Sequence, residues 1–174
     1  MYKNFITEYE VIFLQKPSSS SFRKITGIML TAGLILFAFV HSMMPADISA
    51  QESSSFTAFL EDFFRLFGVS AELSGHIIRK AAHFTEYAAI GASALFCAKA
   101  FDNEKPLKYI FNILFTGLAA AVTDEAIQLN VEGRSGQITD VLLDFSGFLT
   151  GASLIFALTA FISLIRKRKT KNLD

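Results

Sequence analysis

Three observations predict an all-α, polytopic membrane protein with four transmembrane helices, both chain ends cytoplasmic, and an amphipathic helix in the first outside loop. Apolar residues make up 52% of the 174 and charged residues only 18%, against about 25% charged in a typical soluble domain. The apolar residues come in blocks of the roughly 20 residues needed to cross a bilayer core, and mean hydropathy is +0.42. Basic residues flank the first and last blocks, with Lys3, Lys16, Arg23 and Lys24 before one and Arg166 to Lys171 after the other. Cytoplasmic flanks collect Lys and Arg, so both ends lie inside and the number of spans is even. Acidic and basic residues cancel, and no bulk charge points to nucleic acid as a partner. The single cysteine, Cys97, excludes an intrachain disulfide framework and a Cys-based zinc cluster.

Residues 1–24 form the cytoplasmic N-terminal segment. Phe5, Ile6 and Val11 to Leu14 fit a short surface helix or a partly disordered stretch, and Pro17 to Ser21 reads as a flexible turn. The first span, 25–44, carries no formal charge. A cleaved signal peptide ending at Ala50 is the competing reading. The 24-residue leader, the span-length apolar stretch and Ile48 three residues before the cut argue against it. Next, Phe56, Phe59, Leu60, Phe63 and Phe67 recur at helical spacing and predict an amphipathic helix over about 55–67. Serines at its start would cap free N–H groups, and Gly68 would end it. It either lies along the outer interface, lids the bundle, or simply covers apolar helix ends.

The second span, 77–98, is the weakest by hydropathy, because its first half holds Arg79, Lys80, His83 and Glu86. Charge placement supports it: the lysine-rich connector 99–108 falls inside only if this segment crosses. The third and fourth spans are 107–129 and 141–165. Together residues 25–165 make one membrane domain, followed by a basic cytoplasmic tail over 166–174. In this arrangement all sixteen basic residues except Arg65, Arg79, Lys80 and Arg134 lie inside. The protein is a multi-pass component of the cytoplasmic membrane.

Three polar clusters then share the outer ends of their helices: Arg79 to Tyr87, Asp124 to Gln128, and Gly133 to Asp144. Lys80, His83 and Tyr87 fall on one helical face, as do Asp140 and Asp144, and Gly147 and Gly151 continue the second stripe. The Gly147–Gly151 pair permits close approach by another helix, including one from a second copy. A charged group at the bilayer centre costs about 2.5–3.5 kcal/mol even on the mildest scale. These acids therefore face one another's helices, basic partners, or an outward vestibule. They form either a functional site or a structural network that fixes helix register. His83 is suited to general-base or proton-relay work, or to donating a single hydrogen bond. The Gly133–Arg134–Ser135–Gly136 turn either binds phosphate or carboxylate or is an ordinary outside loop.

The segments KAAHFTEYAAIG (residues 80–91), DEAIQ (124–128) and GRSGQITDVLLDFSGFLTG (133–151) resemble the VanZ-like family of small bacterial membrane proteins in order and spacing. The resemblance covers about residues 25–165. It marks Lys80, His83, Glu86, Tyr87, Asp124, Glu125, Gln128, Arg134, Asp140 and Gly147. Asp144 stands where the family usually has Asn, which adds an acid, and Glu132 stands where a proline commonly precedes the Gly-Arg pair. The resemblance implies a cell-envelope role at the outer leaflet, since the family's namesake is linked to low-level resistance to the lipid-bearing glycopeptide teicoplanin.

Two functions follow as expectations. In the first, Lys80, Tyr87, Gln128, Arg134, Ser135, Asp140 and Asp144 bind a lipid head group or lipid-linked envelope ligand without turnover. In the second, His83, Glu86, Asp124 and Glu125 handle protons in an intramembrane hydrolase or transferase acting on a lipid-linked phosphate or amide. No HExxH, GxSxG or CxxC signature is present. No cofactor is identified and no metal-ligand set is assigned; one histidine among several carboxylates would favour a hard cation such as Mg or Ca. Ion or proton transport, a third class, is weakened by the absence of ionisable residues from the inner halves of the spans.

Overall fold

The computed structural model describes residues 19–66 and 74–171, and all regular structure among them is helical. Five α-helices follow in order: α1 Ser19–Ser42, α2 Ala46–Leu66, α3 Gly75–Phe101, α4 Ile110–Gln128 and α5 Ile138–Lys171, with a 3₁₀ turn at Pro106–Tyr109 before α4. The segment 1–16, Phe67 and Gly68 lie outside the described residues. Among the described residues three stretches are long and apolar enough to cross a membrane: Ser20–Ser42, Pro106–Gln128 and Ile138–Arg166. The polar first half of α3 keeps it out of that group, although at about 1.5 Å per residue it is some 40 Å long.

Several boundaries differ from expectation for local reasons. Ser19 to Ser21 open α1 rather than forming a turn before it. Helix α2 begins at Ala46, nine residues before the expected start. The hydroxyls of Ser53, Ser54, Ser55 and Thr57 bond back to carbonyls three or four residues earlier. Such back-bonding satisfies serines inside a helix, so they do not act as N-caps. Proline at 106 opens the 3₁₀ turn, which takes the place of the first turn of the expected third span. At the far end, the basic tail continues α5 to Lys171.

The bundle is apolar on its outer surface and, beside an apolar core, buries acids at one end. Phe111 is 83% exposed and Phe115 74%, whereas Asp124 and Asp144 are 0% and 1% exposed. Water would reverse that distribution; hydrocarbon around the helices accounts for it. Hydroxyls on the exposed surface of α5 follow the same rule, with Ser146, Thr150 and Ser163 each bonded to a carbonyl of their own helix.

Helix α3 is central and touches every other helix. Its partner over the longest stretch is α5, and the two run parallel: Lys80 meets Asp140, Ala88 meets Gly151, and Lys99 meets Thr159. Glycines permit the approach. A Cβ on Gly151 would overlap the Ala88 carbonyl, one on Gly147 the Phe84 carbonyl, and one on Gly91 the Phe148 carbonyl. Phe148, fully buried, lays its ring over Gly117 of α4 and so locks three helices together. The Gly147–Gly151 stripe is thus engaged within the chain. At the end of the bundle away from the acids, the Lys24 ammonium sits 5.3 Å over the Phe101 ring and that of Lys108 5.4 Å over Tyr109.

Overpacking a tight contact costs about 1–3 kcal/mol. Gly151→Val and Gly91→Val are therefore expected to lower the melting temperature of the detergent-solubilised protein. Gly33 faces open space, so Gly33→Ala should leave the melting temperature unchanged or raise it.

Candidate functional site

The polar ends of α1, α3, α4 and α5 meet at one end of the bundle. Helix α3 supplies Lys80, His83, Glu86 and Tyr87, α4 supplies Asp124, Glu125 and Gln128, and α5 supplies Asp140 and Asp144. His83 stands between two acids, with its Nδ1 3.8 Å from Asp124 Oδ2 and 3.8 Å from Asp144 Oδ1. Asp124 Oδ2 accepts hydrogen bonds from Ser42 Oγ at 2.7 Å and Gln128 Nε2 at 3.0 Å. One carboxyl thereby ties α1 to α4. Adjacent residues on a helix point about 100° apart, and Glu125 accordingly points elsewhere, where its Oε2 accepts the backbone N–H of Gln137 at 2.9 Å. That bond holds the loop between α4 and α5 against the end of α4.

Lys80 Nζ donates to Asp140 Oδ1 at 2.8 Å across α3 and α5. Glu86, close to His83 by helical spacing, instead meets His41 of α1, with Nδ1 to Oε1 2.8 Å. The His41 and His83 rings stack at 6.0 Å between centroids. Glu52 of α2 approaches the other side of His41 at 3.8 Å. Tyr87 is fully buried, and its hydroxyl has no hydrogen-bond partner among the described residues. Ser135 Oγ accepts from Gln137 Nε2 at 3.5 Å.

A cavity of about 70 Å³ opens beside His83 and Asp144 and is walled by Arg79, Lys80, Glu125 and Arg134. The Gly133–Arg134 turn forms its rim. Gly133 has φ of 75°, a backbone conformation that disfavours a side chain, and a Cβ there would press on Ala46. Arg134 Nε and Nη2 are buried with no hydrogen-bond partner among the described residues. Burial, then the nearby Arg79 guanidinium, lowers the Arg134 pKa from its ordinary value. An anion beside Arg134 would relieve both effects and take up the free donors.

A family model described as VanZ/LLP1 matches residues 10–161. The chain belongs to the VanZ/LLP1 family. No curated protein and no solved structure matches it. In this VanZ/LLP1 chain, His41, Ser42 and Glu52 lie outside the three motif segments, and Gln137 lies inside the third without being marked by the resemblance. Their only signal in the sequence is position, since the first two end an apolar span and Gln137 precedes the last one. Nothing local links His41 to Glu86, 45 residues away.

Losing one of two donors to a buried acceptor costs about the net value of a hydrogen bond, about 0.5–1.5 kcal/mol. Ser42→Ala should destabilise the protein by that amount in denaturant unfolding. Gln128→Ala shares the same acceptor, so the double variant should deviate from additivity by about 0.5 kcal/mol or more.

Proposed function

We propose that this VanZ/LLP1 protein crosses the cytoplasmic membrane four times, with α1, α3, α4 and α5 as spans and both chain ends inside. Helix α2 then lies in the first outside loop, and the polar cavity faces outward. Lys24, Lys99 and Lys108 at the opposite end of the bundle support that orientation. The outward cavity binds the anionic head group of a membrane lipid or lipid-linked envelope ligand. The observation that carries this reading is Arg134, whose buried Nε and Nη2 have no hydrogen-bond partner among the described residues while Lys80 and Arg79 stand on the same cavity wall. A phosphate or carboxylate with an acyl anchor fits such a site in both charge and location. A bound lipoglycopeptide has the same amphiphilic character, and lowered teicoplanin susceptibility in cells is the physiological form of this proposal.

A second reading, an intramembrane hydrolase or transferase on a lipid-linked phosphate or amide, is favoured by one feature: His83 held between two buried acids. Such a histidine is placed to take and return a proton. Product release from a phosphate-bearing lipid, abolished by His83→Ala in a folded protein, would select this reading over binding alone.

Hydrogen bonds to charged groups contribute about 1.5–3 kcal/mol, and each tenfold in affinity is about 1.4 kcal/mol. Arg134→Ala should therefore weaken binding of phosphatidylglycerol in nanodiscs by at least tenfold. Unchanged affinity would refute the head-group reading. For topology, Ser135→Cys and Ser74→Cys in a Cys97→Ala background should react with an impermeant thiol reagent from outside, and Thr170→Cys only after permeabilisation. Reaction of Ser135→Cys and Thr170→Cys from the same side would exclude four spans.

A further inference from the structure

We propose that His83, Asp124 and Asp144 form a binding site for a first-row divalent cation of the Zn²⁺ or Mn²⁺ kind. One ligand atom from each of the three residues lies within 4.8 Å of the others, and His83 Nδ1 is 3.8 Å from an oxygen of each acid. Bonds of about 2.0–2.2 Å at angles of 110–120° put ligand atoms about 3.3–3.8 Å apart. Small side-chain adjustments would bring all three donors into range.

A second observation is independent of that spacing. Asp144 is 1% exposed, and neither of its oxygens accepts a hydrogen bond among the described residues. Oδ1 of Asp124, a residue with no exposure, is in the same condition. Burying polar atoms without partners is unfavourable, and one ion would satisfy the orphaned oxygens of both residues. Lys80 is bonded to Asp140 at 2.8 Å, and Arg134 Nε and Nη2 make no hydrogen bond to either acid. A single imidazolium would offset only one of two ionised acids.

The surroundings resemble the support a metal ligand needs. Ser42 and Gln128 fix the Asp124 carboxyl through Oδ2, the oxygen 3.8 Å from His83 Nδ1, and leave Oδ1 without a partner among the described residues; such contacts orient ligating groups. His83 and Asp144 also line the 70 Å³ cavity, which supplies access and room for a further oxygen ligand. Among the described residues two acids converge on the imidazole, because Glu86, Glu125 and Asp140 are bonded elsewhere. With one nitrogen among three donors, the set suits Zn²⁺ or Mn²⁺ better than Mg²⁺ or Ca²⁺, which prefer all-oxygen shells.

This site stands apart from the head-group reading, because cation binding is measured without added lipid ligand. The full chain in detergent is stripped with chelator and titrated separately with Zn²⁺, Mn²⁺, Mg²⁺ and Ca²⁺. Bound metal is read by mass spectrometry and, for Mn²⁺, by electron paramagnetic resonance. About one Zn²⁺ or Mn²⁺ per chain is expected. His83→Ala and Asp144→Ala should each weaken it at least tenfold, while Asp62→Asn, in an exposed pair on α2, should retain it. Asp144→Asn, which conserves shape, serves if Asp144→Ala does not fold, with an altered Mn²⁺ spectrum expected. No stoichiometric metal, meaning that a proton meets the second acid, would overturn the proposal. So would binding insensitive to His83 and Asp144, or binding of Mg²⁺ or Ca²⁺ in preference to Zn²⁺ and Mn²⁺.

Discussion

Two aspartates without solvent exposure, Asp124 and Asp144, sit in a bundle whose outer surface is Phe, Leu and Ile. An ionised carboxyl in hydrocarbon is unfavourable by about 2.5–3.5 kcal/mol on the mildest scale, so both acids turn to the inside of the bundle rather than to lipid. That requirement explains why four helix ends, far apart in sequence, meet at one place. Ser42, Gln128 and His83 arrive from three helices to surround one pair of acids. The remaining acids are placed by the same rule, each with a partner on another element: Glu86 with His41, Glu125 with the Gln137 amide, Asp140 with Lys80.

Polar convergence and tight packing are carried by one face of one helix. Along α5, Asp140, Asp144, Gly147 and Gly151 fall on a single stripe that faces α3 throughout. The upper half of that stripe makes polar contacts and the lower half lets backbones touch. A side chain at either glycine would separate α5 from α3 and, by the rigidity of a helix, carry Asp144 away from His83. Phe148 extends the coupling to α4 through Gly91 and Gly117. Chemistry and packing are therefore not separable in this bundle.

The motifs in α3, α4 and α5 were legible because each combines charges with helical spacing inside an otherwise apolar segment. Lys80 and His83 share one helix face by simple periodicity, as do Asp140 and Asp144, and parallel helices then bring those two faces together. The destination of Glu86 was not legible, since its spacing places it near His83 while its partner stands on α1. A histidine at the end of an uncharged span, as at position 41, carries no periodic signal. The early start of α2 was hidden because Ser49 to Ser55 suit a cap as well as an interior, and the choice depends on back-bonded hydroxyls. The three apolar spans stand out by hydropathy alone. The polar half of α3 is the segment that hydropathy cannot credit, because the residues that define the site are the ones that make it polar.

One small contact joins the amphipathic helix to the rim of the cavity. The Ala46 amide donates to the Glu132 carbonyl at 3.4 Å, and the neighbouring Gly133 is so near the Ala46 methyl that any side chain there would collide. The first residue of α2 and the turn bearing Arg134 are thus geared like meshed teeth. Any displacement of the first residue of α2 would therefore be passed to the turn that carries Arg134, so the width of the cavity mouth depends on how α2 is seated.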